Sequence, residues 1–172
     1  MIYNLVQHYS DEIQLDLDMV VRLELNPNSL QLNYSIHANL DNLILPTIQK
    51  EIKRADNLWQ NTCFEAFLKL KDSPKYLELN LSPFSAYNVY SFDDYRQGMK
   101  DMDIAEIKLN SLKEAHNYKF SADLRFVDSF DFEAISICAI IKLSSGETSH
   151  WAIKHKSSKP DFHLASSFIE IN

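Results

Sequence analysis

Three stretches of the chain gather side chains able to hold a small molecule. Residues 54–65 set Trp59 just ahead of a run that carries Glu65. Residues 76–83 alternate Tyr76, Glu78, Asn80 and Ser82 with leucines, and Tyr87, Tyr90, Tyr95 and Arg96 follow. Residues 150–163 bring Trp151 together with His150, His155, His163 and Asp161. Aromatic rings beside carboxylate, amide and guanidinium groups suit a sugar, whose C–H face packs on a ring and whose hydroxyls take paired hydrogen bonds. Arg96 offers a fork for two adjacent oxygens, and Glu65 offers oxygens that accept from two hydroxyls. A plainer reading fits the same residues: a strand with one solvated polar face, whose aromatics complete the core.

Other chemistries are less well served. His150, His155, His163 and Asp161 are legitimate metal ligands by type, but their spacing matches no metal motif, so no metal is expected. Met99 with His155 or His163 would make a haem ligand pair of the kind some cytochromes use, without any haem attachment motif nearby. No serine stands in a nucleophile-elbow pattern, and Cys63, followed by hydrophobic residues, lacks the setting of an activated thiolate. Glu65 with Glu78, and Glu65 with Asp161, are the two candidate carboxylate pairs of glycosidase type, and the sequence gives no separation for either. The chain therefore reads as a binding domain with no catalytic residue rather than as an enzyme.

Composition narrows the partners. The 172 residues are 45% hydrophobic, and 17 Lys and Arg stand against 24 Asp and Glu, a net charge of −7. Such a chain builds a packed core, fits one domain over residues 1–172, and repels phosphate backbones and anionic lipid heads. Nucleic acid and membrane surfaces are not expected partners. The longest apolar stretch, around residues 137–141, falls far short of the about 20 residues of a membrane helix. The first residues lack a cationic start and a long apolar run, so no secretory signal is read and a cytoplasmic location is expected. Cys63 and Cys138 are expected to be reduced core residues, since two cysteines make neither a disulfide framework nor a zinc pattern.

The elements that must position these residues are strands. Ile13, Leu15, Leu17, Met19, Val21, Leu23 and Leu25 occupy alternate positions, the period of a strand buried on one face. Asn26-Pro27-Asn28-Ser29 supplies a turn, and Leu30, Leu32, Tyr34 and Ile36 resume the alternation as the second arm of a hairpin. Similar runs at 62–70, 76–81, 87–92, 104–112, 118–126, 133–143, 150–153 and 168–171 bring the count to about ten short strands, split by turn residues. An antiparallel two-sheet β-sandwich follows, of jelly-roll or immunoglobulin-like shape, with at most one or two short helices. One helix is expected at residues 46–55, where Ile48 and Ile52 lie one turn apart. With only 2 Gly, the chain has no phosphate-cradling loop.

Four motifs in order, Arg54-x-Asp56-x-Leu58-Trp59-x-x-Thr62-Cys63-Phe64-Glu65-x-Phe67, Tyr76-x-Glu78-x-Asn80-x-Ser82-Pro83, Tyr95-Arg96-x-Gly98-Met99 and Lys159-Pro160-Asp161-Phe162-His163, resemble those of the bacterial DOMON-like domains related to type 9 carbohydrate-binding modules. The resemblance spans most of the chain and implies a β-sandwich. For the sugar-binding relatives it implies a ligand slot built from a Trp ahead of a strand and a Glu along it, positions matched here by Trp59 and Glu65. It further implies a second aromatic wall, Trp151 or Tyr87, with Asn80, Arg96, Asp161 and His163 around the ligand; Tyr87 stands where family members are expected to carry Trp. Other DOMON-type domains bind haem, so the resemblance allows that cofactor too. A structural role is an alternative, in which Arg54–Asp56 and Lys159–Asp161 pair to fasten the fold.

Overall fold

The computed structural model of the chain describes residues 1–49 and 51–171. Among these residues there is no α-helix; they form thirteen strands and two single 3-10 turns. The strands are β1 (Ile2–Gln7), β2 (Leu17–Asn26), β3 (Ser29–Ala38), β4 (Lys53–Arg54), β5 (Cys63–Leu70), β6 (Tyr76–Ser82) and β7 (Ala86–Phe92), then β8 (Lys100–Asp101), β9 (Ile104–Lys113), β10 (Asn117–Phe126), β11 (Phe132–Lys142), β12 (Thr148–Ala152) and β13 (Ile169–Glu170). β2 and β3 form the expected hairpin with Asn26 opposite Ser29, a two-residue connection of Pro27 and Asn28. The alternating pattern overruns β2 at its start. Gln14 and Leu15 hydrogen-bond out of register, the Leu15 N–H to the side chain of Gln7 at 2.8 Å, so Ile13 and Leu15 belong to a loop.

Eleven strands share one hydrogen-bonded path, β4-β7-β6-β5-β11-β12-β1-β2-β3-β10-β9, with β8 paired to β7 and β13 to β11 beside it, instead of the two separate sheets expected. β1 makes the join: Ile2 to Leu5 pair with β2, while Val6 and Gln7 pair with β12. Pairing is antiparallel except for the short β4, which lies parallel to β7. The path folds over so that its two halves face each other. Tyr34 of β3 places its hydroxyl 3.0 Å from the Glu65 carbonyl of β5 and 3.1 Å from the Cys138 carbonyl of β11. Phe64 of β5 lies between Tyr34 and Phe120, with ring centroids at 4.6 and 4.4 Å. The main core is the inner set of the longer strands, Met19, Val21, Leu32, Phe64, Leu79 and Ile137 among them.

Residues 46–49 and 51–55 are not helical, contrary to the pattern of Ile48 and Ile52; Lys50 of that stretch lies outside the described residues. A single apolar pair does not repay the cost of nucleating a ten-residue helix. The backbone instead finds partners on its neighbours: the N–H of Ile48 donates to the Ser111 hydroxyl at 2.7 Å, that of Gln49 to the Ser85 hydroxyl at 2.7 Å, and Tyr118 donates to the Pro46 carbonyl at 2.6 Å.

Candidate ligand cleft

The face of β5, β6, β7 and β11 that points away from the main core is not solvated. Cys63, Phe67, Tyr76, Tyr90, Phe92, Cys138 and Ile140 form a second apolar cluster on it, closed by Phe162 and Phe168 from the segment after β12. Strand alternation places Glu65, Glu78 and Asn80 on this same face, and all three are buried. Register brings them together: Glu65 pairs with Asn80 across β5 and β6, and Phe67 pairs with Glu78. They open onto a cleft of 650 Å³ whose rim carries Trp59, Arg96 and Met99 and whose walls include Tyr90, Phe92, Phe162 and His163.

Short irregular segments place the rim residues. Trp59 rides on the 3-10 turn Leu58–Gln60, entered through Asn57 in left-handed backbone (φ 57°), and is 53% exposed at the cleft. Arg96 is also left-handed, with φ 52°, in the tight loop between β7 and β8. That loop closes through the Asp93 N–H on the Gln97 carbonyl at 2.9 Å. Gly98 (φ 66°) is required there, because a Cβ would collide with the Asp93 side chain. A left-handed arginine is uncommon, and strained residues of this kind gather at binding sites.

A chain of hydrogen bonds ties the rim to the floor. The Arg96 backbone N–H donates to the Tyr76 hydroxyl at 3.2 Å, and that hydroxyl lies 2.8 Å from Nδ1 of His163. Burial, with the Arg96 charge adding to it, lowers His163 to about 4, although Asp161 pulls the other way. His163 is therefore neutral at pH 7, with Nδ1 against the Tyr76 hydroxyl and Nε2 3.6 Å from Glu78. The Arg96 guanidinium reaches Asp161 at 3.0 Å, and Tyr95 donates to the other Asp161 oxygen at 2.6 Å. Burial raises Asp161, but the bonds from Tyr95 and Arg96 outweigh it and hold the carboxyl below the ordinary range. On the floor Asn80 donates to Glu78 at 2.8 Å. Burial still raises Glu78, with Asn80 and Arg96 working against it.

Glu65 differs from its neighbours. It is 3% exposed, and its Oε1 has no hydrogen-bond partner among the described residues. Burial first, and the nearby Glu78 carboxyl second, raise its pKa well above the ordinary value. A buried polar atom without a partner costs about 1–3 kcal/mol, and Glu65 is the lining residue of the cleft that carries one.

Of the residues singled out in the sequence, Trp59, Glu65, Asn80, Arg96 and His163 meet at the cleft, and Asp161 stands behind Arg96. Trp151 and Tyr87 do not. Trp151 is 3% exposed in the main core with its Nε1 bonded to Ser149 at 3.0 Å, and Tyr87 packs against the main core with Arg54 over its ring at 5.4 Å. Parity is the reason: in β7, Tyr90 and Phe92 point to the cleft, so Tyr87, an odd number of residues away, points inward. The aromatic walls of the cleft are Phe67, Tyr90, Phe92 and Phe162, which the alternation of β5 and β7 and the 159–163 motif contained. Arg54 and Asp56 are joined through Asn88 rather than paired directly, and Asp161 binds Arg96, not Lys159. Cys63 and Cys138 are free and buried. Among the described residues no group of three or more His, Cys, Asp and Glu could hold a metal. Met99 and His163 share the cleft, whereas His155 lies outside its lining, with Nε2 2.9 Å from the Val6 carbonyl.

No family model matches the chain, and no curated protein matches it. Solved structures do match in fold. A proposed carbohydrate-binding protein from Bacteroides uniformis superposes with a TM-score of 0.65 at 10% identity, over 98% of this chain and 84% of the other. A family 9 carbohydrate-binding module from Caldicellulosiruptor kristjanssonii, in complex with glucose, superposes with a TM-score of 0.52 at 11% identity, over 98% of this chain and 82% of the other. The chain thus shares its fold with the carbohydrate-binding module of family 9.

Proposed function

We propose that this chain is a non-catalytic binding domain that holds a mono- or oligosaccharide in the cleft between Trp59 and Glu65. The observation that carries the reading is one 650 Å³ cleft containing both a half-exposed indole and a buried carboxyl oxygen without a partner among the described residues. The indole offers a face for sugar C–H groups, the unpartnered Glu65 oxygen takes a hydroxyl, and Asn80 and Arg96 supply further polar contacts. Similarity in fold to a module crystallised with glucose supports the same class of ligand. Catalysis is not assigned: burial pushes the Cys63 thiol well above its ordinary value, so it is no thiolate nucleophile. Haem is not assigned either, since both His163 nitrogens face Tyr76 and Glu78.

Calorimetric titration with a panel of neutral mono- and disaccharides tests this, with tryptophan fluorescence as a second readout. Trp151 is sealed in the core, so a saturable fluorescence change reports Trp59. Trp59→Ala is expected to abolish the binding heat while circular dichroism and the melting temperature stay unchanged. The absence of saturable heat with every sugar tried would sink the reading, and a Soret band in the purified protein would replace it with haem.

A further inference from the structure

Glu65 stands among groups whose hydrogen bonds are already committed. On its own strand the Cys63 thiol faces the Phe64 carbonyl and Asn80. On β6 the Asn80 amide donates to Glu78, and the Tyr76 hydroxyl is taken up by His163. On β11 Cys138 faces Ser136, and from the opposite half of the sheet Tyr34 reaches only the backbone carbonyl of Glu65. Of the charged or titratable groups across the cleft, Arg96 holds Asp161, Tyr90 donates to Asp56 at 2.7 Å, and His150 holds Asp11 at 2.8 Å. Among the described residues no donor hydrogen-bonds Glu65 Oε1 and no cation pairs with Glu65; the Cys63 thiol alone works toward its ionised form, against burial and the facing acid, Glu78. A buried carboxylate in that setting takes up a proton.

We propose that Glu65 meets its ligand as a neutral carboxylic acid that donates a hydrogen bond to an uncharged sugar oxygen, so that the cleft selects neutral sugars and releases them when this proton is lost. The proposal rests on the sugar-binding reading above. A neutral acid donates one bond and accepts another, which matches a hydroxyl or a ring oxygen. A phosphorylated or uronic sugar finds no such match, because the charge of Arg96 is balanced by Asp161 and the remaining acid, Glu78, repels anions.

The experiment titrates wild type, Glu65→Gln and Glu65→Ala calorimetrically with the neutral sugar that binds wild type, from acidic to alkaline pH. The 6-phosphate of that sugar serves as the anionic probe, and circular dichroism confirms folding at each pH. Glutamine keeps the shape and the donor, so its affinity is expected within about threefold of wild type at acidic and neutral pH. Alanine removes a buried hydrogen bond and is expected to lose about 10- to 100-fold. Wild-type affinity should hold level at low pH and fall as the pH climbs through the raised value, while Glu65→Gln stays level and the phosphate binds at least about tenfold more weakly. Affinity that rises with pH, or a Glu65→Gln protein as weak as Glu65→Ala, overturns the protonated form while leaving sugar binding intact. No binding of any neutral sugar at any pH overturns both.

Discussion

The two halves of the folded path carry the same alternation to different ends. In β2 and β10 the inward residues are buried, and the outward ones, Asp18, Arg22, Lys119 and Arg125 among them, are exposed to water. In β6 every residue is buried, including the outward Tyr76, Glu78, Asn80 and Ser82. The difference lies not in the strands but in what covers them, since the segment after β12 lays Phe162, His163 and Phe168 over the second face. Water satisfies Arg22, whereas Glu78 must be satisfied by protein. A polar alternation that is ordinary surface in one half becomes a built network in the other, and Glu65 is the member of that network left open.

The comparison holds only if one core supports both halves, and Phe64 is the place to break it. It stacks on Phe120 and packs on Tyr34, so it touches the half that is solvated outside as well as its own. Phe64→Ala is expected to cost about 3–5 kcal/mol in denaturant unfolding, with fluorescence and circular dichroism still moving in one transition. Two separate transitions in the wild-type protein would show that the halves are independent units.

Acid should strike the covered half selectively. The folded-state value of His163 is lowered to about 4 from 6.5. Its contribution is thus present above pH 6.5 and disappears as the pH drops through about 4, a total of roughly 3 kcal/mol. Glu65 and Glu78 act in the opposite sense, because their raised values favour folding at low pH and this support is lost as the pH rises. The sharp test is therefore a difference: the stability gap between wild type and His163→Gln should narrow by about 2–3 kcal/mol between pH 7 and pH 4. A gap that does not change with pH would contradict a buried neutral imidazole.

Arg96→Gly should separate stability from binding. Glycine relieves the left-handed backbone, worth about 1–2 kcal/mol, and removes a half-exposed ion pair to Asp161, worth about 0–1 kcal/mol. The melting temperature should change little or rise slightly, while sugar affinity falls about tenfold in calorimetry. Unchanged affinity would mean that Arg96 only braces Asp161.

Much of this contrast was legible in the sequence. Period-two alternation located the longer strands to within a residue or two, apart from the start of β2, which it set four residues early, because a strand with one buried face must write that period. β1 was missed: Ile2–Gln7 runs IYNLVQ without a clean alternation, since it changes partner sheet midway. That switch joins two sheets into one path, and it leaves no local pattern. Trp59, Glu65, Asn80, Arg96 and His163 were legible as a group because chemistry and motif agreed. The aromatic wall was misplaced because Trp151 is chemically attractive, whereas its burial depends on where β12 sits between β11 and β1. Burial of the second face was not legible at all, because alternating Glu78 and Asn80 look the same in sequence whether water or Phe162 covers them.

The smallest effect is expected on the solvated half, and it completes the comparison. Glu106 on β9 sits between Lys108 at 2.7 Å and Arg125 at 3.3 Å, an arrangement as rich in partners as the cleft. These contacts hold its carboxyl below the ordinary range, with the Lys108 hydrogen bond leading. Yet all three side chains are largely in water, where each charge is also solvated and salt screens the pair. Glu106→Gln should leave the denaturation midpoint and the sugar affinity unchanged within the resolution of either measurement. A clear loss of stability would mean that pairing itself, rather than burial, gives a polar cluster its weight in this fold, and the reasoning that singles out Glu65 would then apply with equal force to the opposite face.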